Sequence, residues 1–363
     1  MKIFQAIRSL NWWILGIVVC LCGVSIVNLA STSLHSLRSA HLEQLNIFAL
    51  GGALMLGTAL IDYRTLQRWI VPLYVAVIIS LVLVLFIGKE INGSRRWLSI
   101  AGFGFQPSEI AKLAVIMAVA SWFQRVPRPS GYTFRDLIPL GAMVGLPMFL
   151  ILQEPDLGHT LMIGFIGFTM AGFERFERRT LIVMLTLGLI GLPSIWSFVL
   201  RDYQKDRILT LIDGRVDRLG AGWHANQAKV AVGSGGTLGK GHGQGTQVAG
   251  GFLPENHTDF VFAHWSEEQG FVGAAIVLFL YLLLILLCLR CSARAKDRFG
   301  SAAAVGVAAL YFFHAVMNIG MVLNVLPVTG VTLPLMSYGG TSALTILIAT
   351  GLVLNIDLRR TVF

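Results

Sequence analysis

Apolar runs long enough to cross a bilayer recur along almost the whole chain, and this repetition constrains the fold most. A transmembrane helix needs about 20 consecutive, mostly apolar residues. Ten runs approach that length: 11–30, 42–61, 69–87, 109–124, 137–152, 158–173, 180–200, 266–289, 301–324 and 341–357. Only 13% of the 363 residues are charged, whereas soluble domains carry about 25%. We therefore expect an all-α integral membrane protein with about ten transmembrane helices.

The Lys and Arg residues between these runs predict the orientation. If the N-terminus is inside, the cytoplasmic segments hold 16 Lys and Arg, and the short outer loops hold four: Arg38, Lys89, Arg95 and Arg96. Cytoplasmic loops normally carry this excess of positive charge, so we expect an N-in, C-in topology. The net charge of +9 then reflects topology and contact with anionic headgroups, and does not indicate a nucleic-acid partner.

The loops are unequal in length, and the longest is too long to be a simple connector. We expect one membrane domain over residues 1–363, with residues 201–265 forming a large extracytoplasmic loop between the seventh and eighth helices. The first half of this loop has the pattern of an amphipathic helix near the interface, and its second half is rich in glycine. The outer loop 88–108 is glycine-rich and basic.

Acidic residues are scarce, yet three of them fall within ten positions at the start of the eighth helix. The chain has 19 Asp and Glu in total, and these three are Asp259, Glu267 and Glu268. A carboxylate at this boundary can act as a general base toward a hydroxyl, although Thr258 or Asp259 could equally cap the helix. His257 is better suited to orienting a neighbour than to binding a metal. At least one of the paired glutamates should point inward, because a lipid-facing carboxylate is costly.

A lysine lies one turn into the fourth helix, where charges are rare. Pro107 suits the first helical position, and Gln106 with Glu109 resembles a capping box. Glu109 and Lys112 are three residues apart, so they share a helix face and can pair. In a cavity, the Lys112 ammonium could also bind a phosphate.

Further polar residues have both functional and structural interpretations. Arg95 and Arg96 are predicted to be extracytoplasmic, and a guanidinium is the preferred partner of a diphosphate. Asp156 adds negative charge to the same surface, but it could simply cap the sixth helix. His314 and Asn318 share a face of the ninth helix and are expected to hydrogen-bond other helices.

These segments together resemble the SEDS family (shape, elongation, division and sporulation), and within it the RodA branch more than the division paralogue FtsW. The similar segments occur in family order and are NGSRRW at 92–97, FQPSEIAKL at 105–113, QEPDLG at 153–158, GWHANQAKVAVGSGGTLGKG at 222–241, GTQ at 245–247, FLPENHTDFVFAHWSEEQGFVG at 252–273 and LPVTGVTLPLMSYGGTS at 326–342. The run His264–Ser266 and Gln269 depart from the family pattern by being more polar.

The resemblance implies an inverting peptidoglycan glycosyltransferase in the bacterial cytoplasmic (inner) membrane. It would polymerise lipid II, the undecaprenyl-diphosphate-linked disaccharide-pentapeptide, into glycan strands at the outer face, for cell elongation and rod shape. Its implied partners are a class B penicillin-binding protein, which is a transpeptidase, and other elongation-complex proteins. The catalytic aspartate of the family's HTDF-type motif falls on Asp259.

The implied chemistry is consistent with the residues singled out above. One carboxylate can take the proton of the acceptor hydroxyl, and the diphosphate leaving group needs charge balance but no acid. Arg95, Arg96 and Lys112, or a divalent cation (Mg²⁺ or Mn²⁺), could supply that balance, and the sequence identifies no metal ligands. Asp156, Glu109, His257, Thr258, Glu267 and Glu268 complete the expected substrate site.

Two other functions fit the same residues. A lipid II flippase would also need a polar cavity and broken helices, but the ionisable residues lie toward one face and not at the midplane, and no inverted repeat is found. A non-catalytic cell-wall scaffold would keep its function when Asp259 becomes Asn. Loss of activity on that substitution would favour the polymerase.

Overall fold

The computed structural model describes residues 9–34, 39–91, 94–100, 103–180, 221–253 and 255–360, with isolated positions between 182 and 209. This part of the chain is mainly helical. Its elements in order are α1 (Trp12–Leu34), α2 (Ala40–Leu60), α3 (Tyr63–Ile87), β1 (Lys89–Ile91), β2 (Ser94–Ile100), β3 (Phe103–Phe105), α4 (Pro107–Arg125), α5 (Phe134–Gln153), α6 (Leu157–Phe173), α7 (Ala221–Ser234), α8 (Thr246–Ala249), α9 (Val261–Ala293), α10 (Arg298–Val322) and α11 (Gly340–Arg359).

Six of the described helices are long and apolar enough to cross a membrane, which makes the chain a multi-pass membrane protein. They are α1, α3, α5, α9, α10 and α11. Helices α2, α4 and α6 also coincide with predicted spans but are shorter, more polar or both. The predicted span 180–200 and the amphipathic first half of the loop 201–265 lie largely outside the described residues.

Helix α4 is the centre of the bundle. All of its residues from Pro107 to Phe123 are buried except Ile110, and it packs against α3, α5, α6, α10 and α11. Because this helix is covered on every side, it can carry small and polar residues where a lipid-facing helix could not. Helix α3 is the opposite case, since most of its apolar side chains remain on the outer surface of the bundle.

The expectation of an all-α fold is wrong for the loop 88–108, whose described residues form a small antiparallel sheet of order β1-β2-β3. Lys89 pairs with Trp97, and Leu98 pairs with Phe105. The sheet hydrogen-bonds the backbone of the loop internally, as a segment beside a membrane requires. Successive residues of a strand face opposite sides, so Arg95 and Arg96 on β2 point in opposite directions.

Helix α9 is broken near its N-terminal end. Its 33 residues would extend about 50 Å, well beyond the roughly 30 Å of hydrocarbon, and Gly270 interrupts it with φ 66° and ψ −164°. The glycine-rich segment 235–243 fills the break. Phe271 and Val272 donate backbone hydrogen bonds to residues 236 and 237 at 2.8 and 3.1 Å, and residues 240 and 241 donate to the carbonyls of Glu267 and Glu268 at 3.0 Å. The kink therefore leaves these backbone groups satisfied.

Candidate functional site

The backbone before α9 is fixed by α10 and by the segment that follows it. The carbonyls of three consecutive residues, 257–259, each accept one hydrogen bond. The donors are the Tyr338 amide at 2.7 Å, the Ser337 hydroxyl at 2.6 Å and the Asn318 amide at 2.9 Å. Asn318 is fully buried on α10, so the position of Asp259 is tied to the core of the bundle.

Asp259 does not cap α9, which excludes the N-cap interpretation of this carboxylate. The N-cap residue is Phe260, and no side chain caps the helix. Asp259 is partly exposed. Its Oδ2 lies 3.5 Å from the position that a Cβ would take at Gly330, which has φ 69°. Gly330 therefore leaves room beside the carboxylate that a larger side chain would fill.

His257 and Thr258 contact their own loop and the segment after α10. The His257 Nδ1 lies 3.3 Å from the Asn256 Oδ1, and its ring centre lies 6.0 Å from that of Tyr338. The Thr258 hydroxyl donates to the Glu255 carboxylate at 2.9 Å. Within the described residues, no group of three or more His, Cys, Asp and Glu could hold a metal ion. The donors around Asp259 thus do not form a complete cation site by themselves.

A second polar cluster is buried between α4, α6 and α10. We call Asp156, His159, Glu109, Lys112 and His314 the buried relay, because neighbouring members are in direct contact. The distances are 2.9 Å from Asp156 to His159 Nδ1, 2.7 Å from His159 Nε2 to Glu109, 2.8 Å from Glu109 to Lys112, and 2.8 Å from Lys112 to His314 Nε2. All five side chains are buried.

The hydrogen bonds define the charges of this relay. Each ring nitrogen of His159 contacts a carboxylate oxygen, so both nitrogens donate and the ring is an imidazolium. His314 accepts from Lys112 and donates from Nδ1 to the Thr332 carbonyl at 2.8 Å, so it is neutral. Two cations then balance two carboxylates, which makes burial tolerable.

The buried relay and Asp259 are joined through one short segment, residues 329–332. The Thr332 carbonyl accepts from His314, and the Val331 carbonyl accepts from Asn318 at 2.7 Å. The same Asn318 amide holds the Asp259 carbonyl. The relay and the backbone of Asp259 are therefore linked by a continuous set of hydrogen bonds through residues 331 and 332 and Asn318.

The two predicted arginines have different surroundings. Arg96 donates to the carbonyls of Glu154 and Pro155 at 3.3 and 2.5 Å and lies 3.6 Å from the Asp156 carboxylate. Arg95 turns to the opposite face, where it is 53% exposed and pairs with Glu90 at 3.5 Å. Only Arg96 thus joins the relay.

The Glu109–Lys112 pair forms as predicted, and Asp156 caps α6 by accepting from the His159 amide at 3.1 Å. The predicted capping box at Gln106 is wrong, because its side chain makes no cap hydrogen bond. Lys112 is fully buried and its ammonium contacts Glu109 and His314, so it does not face an open cavity. Its contact with a phosphate stays a prediction.

Glu154 and Asp156 lie between α5 and α6 and have opposite pKa shifts. Burial and the neighbouring charge of Asp156 raise the pKa of Glu154 to about 8, and neither of its carboxyl oxygens has a described hydrogen-bond partner. Burial would also raise the pKa of Asp156, but His159 and Arg96 outweigh it and lower that pKa to about 2. A neutral acid therefore lies beside an ionised one.

Glu267 and Glu268 both point inward, and their oxygens hold the glycine-rich segment. Glu267 accepts from the Lys240 ammonium at 2.6 Å and from the Thr246 amide at 2.9 Å. Glu268 accepts from the Gly243 amide at 2.9 Å. These contacts identify both glutamates as residues that position the loop. The prediction that they also bind substrate stays a prediction.

Several residues of the site were not selected from the sequence. His159 and Glu154 lie in the QEPDLGH motif, but nothing in a turn motif shows which members are buried. Lys240 is one of several loop cations, and only its contact with Glu267 distinguishes it.

The expected hydrogen bond to another helix is confirmed for His314, which contacts Lys112 of α4. It is wrong for Asn318, whose amide donates to the carbonyls of Asp259 and Val331, and both of these residues lie outside the helices. The position of His314 and Asn318 on one helix face was the available signal.

The chain is similar in sequence to a known protein family and to named members of it. The FTSW_RODA_SPOVE family model, described as a cell cycle protein, matches residues 4–362. The chain is 39% identical over 312 residues to the peptidoglycan glycosyltransferase MrdB of Escherichia coli K12, covering 86% of this chain and 84% of that protein. It is 30% identical over 431 residues to the peptidoglycan glycosyltransferase RodA of Treponema pallidum, covering 98% and 99%.

Two solved structures also resemble this chain over nearly its whole length. One similar chain belongs to a study of the structural coordination of polymerization and crosslinking by a peptidoglycan synthase complex. It has a TM-score of 0.83 and 31% identity, covering 97% of this chain and 98% of that chain. The rod shape determining protein RodA of Thermus thermophilus has a TM-score of 0.72 and 28% identity, with the same coverage.

Proposed function

Because the chain belongs to the FtsW/RodA/SpoVE family of cell cycle proteins, we infer that it is a peptidoglycan glycosyltransferase that uses Asp259 as its catalytic base. The observation that carries the role of Asp259 is the geometry of its segment. Asp259 is a partly exposed carboxylate, and three hydrogen bonds hold its backbone: one to its own carbonyl and one to each of the carbonyls of His257 and Thr258. A general base must be held in a fixed position relative to the hydroxyl whose proton it accepts, and this backbone provides that.

The substrate is lipid II and its undecaprenyl-diphosphate-linked glycan. The acceptor hydroxyl attacks the anomeric carbon of the donor, and its proton passes to the Asp259 carboxylate. The bond between that carbon and the lipid diphosphate breaks as the new glycosidic bond forms, so a single displacement inverts the configuration. The diphosphate leaves as an anion and requires no proton from a general acid.

Arg96 supplies positive charge on the side of the leaving group, held there by Asp156 and by the carbonyls of the α5–α6 turn. The other predicted contacts either bind the substrate directly or hold the residues that bind it. They are Arg95, Glu109, Lys112, His257, Thr258, Glu267 and Glu268. A divalent cation, Mg²⁺ or Mn²⁺, is the alternative source of charge. Polymerisation after chelation, with and without added Mg²⁺ or Mn²⁺, distinguishes the two sources.

The whole chain acts as one membrane domain with ten helices and both termini in the cytoplasm. The family match over residues 4–362 and the excess of Lys and Arg on one side support this arrangement. The protein works in the bacterial inner membrane with a class B penicillin-binding protein and other elongation-complex proteins. Similarity to a chain of a peptidoglycan synthase complex supports a crosslinking partner.

The test is polymerisation of purified lipid II by the full chain with its cognate transpeptidase, comparing wild type with Asp259→Asn. The amide keeps the shape of the side chain but cannot accept the proton, so we expect product formation to fall by about 10²–10⁴-fold. Glu177→Gln is the control, because it removes an exposed carboxylate that lies away from Asp259.

Two outcomes would overturn this assignment. Equal product from wild type and from a correctly folded Asp259→Asn variant would remove the aspartate from catalysis. Movement of lipid II across a bilayer without any polymer from the wild type would favour a flippase. Normal complex formation with the transpeptidase by size-exclusion chromatography establishes that the variant is folded.

A further inference from the structure

We infer that the end of the bundle opposite Asp259 carries a binding site for the phosphodiester headgroup of an anionic phospholipid. Here the start of α1 and the ends of α9 and α11 enclose a cavity of about 320 Å³. Three arginines line it: Arg290, Arg294 and Arg360. The Lys and Arg distribution predicts this end to be cytoplasmic. The inference rests on the membrane-spanning arrangement and not on the glycosyltransferase activity.

The cavity has a net positive charge, because three arginines and one aspartate line it. Asp357 is buried and accepts from Asn11 at 3.0 Å, and it pairs with Arg360 at 3.1 Å. Arg290 and Arg294 are exposed, and among the described residues neither forms an ion pair. Two guanidinium groups are thus left for a ligand, and a guanidinium binds phosphate oxygens in pairs.

The surroundings of the cavity match the depth of lipid headgroups. Trp12 and Trp13 line it and are 60% and 75% exposed. Exposed tryptophans of this kind concentrate at the boundary between hydrocarbon and water. A basic pocket between transmembrane helices at this level is the usual form of an anionic headgroup site.

The face of α9 above the cavity argues for a lipid and against free phosphate. Leu282, Leu286, Arg290 and Arg294 follow one another at intervals of four residues, so they lie along one face of the helix. Both leucines are about half exposed. An acyl chain can therefore lie along the leucines while its phosphate meets the arginines.

The first experiment is native mass spectrometry of the full chain in detergent with phosphatidylglycerol or phosphatidylcholine added. Each arginine near anionic headgroups raises the affinity for an anionic lipid about 5-fold, so two together give about a 30-fold preference for phosphatidylglycerol. In the variant Arg290→Gln/Arg294→Gln we expect this preference to fall to near one. The control Arg178→Gln/Arg179→Gln removes two exposed arginines from the same predicted side, away from the cavity, and should keep it.

Three results would overturn the inference. The first is equal affinity of the wild type for the two lipids, which requires no variant to fold. The second is an equal loss of preference in both double variants, which would indicate only diffuse surface charge. The third is full competition by millimolar glycerol phosphate, which would identify a site for free phosphate.

Discussion

At the scale of single residues, Lys112 is the buried charge whose loss should damage the protein most. Lys112→Met leaves Glu109 with one cation fewer in a site that water does not reach. Breaking a buried pair in this way costs about 3–5 kcal/mol. We expect the free energy of unfolding in detergent, from denaturant titration, to fall by that amount, and the double variant Glu109→Gln/Lys112→Met to recover part of it.

The exposed pair Arg95–Glu90 provides the control for this prediction. Arg95→Gln removes a charge at the surface, where water replaces the lost partner, so stability should hardly change. If Lys112→Met were as harmless as Arg95→Gln, the relay would not stabilise the bundle.

Glu154 makes the stability of the protein depend on pH. Its pKa of about 8 in the folded chain exceeds the ordinary value of 4.5, because burial and Asp156 favour the neutral form more than Arg96 and His159 oppose it. The folded state therefore holds a proton that the unfolded state loses, and stability falls as pH rises from about 4.5 to 8. We expect the thermal midpoint of the wild type to fall over that range more than that of Glu154→Gln.

Glu255→Gln serves as the comparison, because Glu255 is an exposed carboxylate in the loop before α9. That variant should follow the wild-type curve of thermal midpoint against pH. Parallel curves for wild type and Glu154→Gln would show that Glu154 is ionised in the folded protein.

At the scale of elements, the break in α9 depends on glycines that let the loop approach the helix. A Cβ at Gly239 would lie 2.0 Å from the Glu268 carbonyl oxygen, and its φ is 83°. Gly239→Ala should strain the loop by about 1–3 kcal/mol and raise the population of detached loop by about 5- to 150-fold. Limited proteolysis near the exposed Leu238 should then be faster by a similar factor.

Gly233→Ala is the matched control for this element. A Cβ there meets nothing within 4 Å, and the residue lies within α7. Alanine in a helix is better than glycine, so proteolysis should not accelerate. Equal acceleration by both variants would mean that the close approach at Gly239 is unimportant.

The sequence predicted part of this element and missed the rest. The run of glycines marked the loop as unusual, and the apolar run 266–289 marked the span. Neither pattern showed that the helix begins at Val261 and breaks at Gly270. The reason is that the hydrogen bonds satisfying the break come from residues about 30 positions earlier, and no local pattern reports them.

At the scale of the whole molecule, cysteine labelling tests the proposed orientation. Leu238 is 81% exposed on the glycine-rich loop, and Arg178 is exposed on the predicted cytoplasmic side. In intact spheroplasts, a membrane-impermeant maleimide should label Leu238→Cys and leave Arg178→Cys unlabelled until lysis. The native cysteines lie within α1 and α9, so they add little background.

The reverse labelling pattern, with Arg178→Cys reacting in intact cells, would invert the topology and place Asp259 on the cytoplasmic side. Lipid II polymerisation at the outer face would then be excluded. Labelling of both positions only after lysis would likewise contradict an outer glycine-rich loop.

The sequence by itself determined that this is a multi-pass membrane protein, that Asp259 stands at the start of a span, and that Glu109 can pair with Lys112. These properties follow from local composition and spacing along a helix. Only the tertiary structure decided that Arg96 and not Arg95 meets Asp156, that Glu267 and Glu268 hold a loop, and that Asn318 holds Asp259. Each of these depends on a partner distant in sequence, and the choice among possible partners is made by packing.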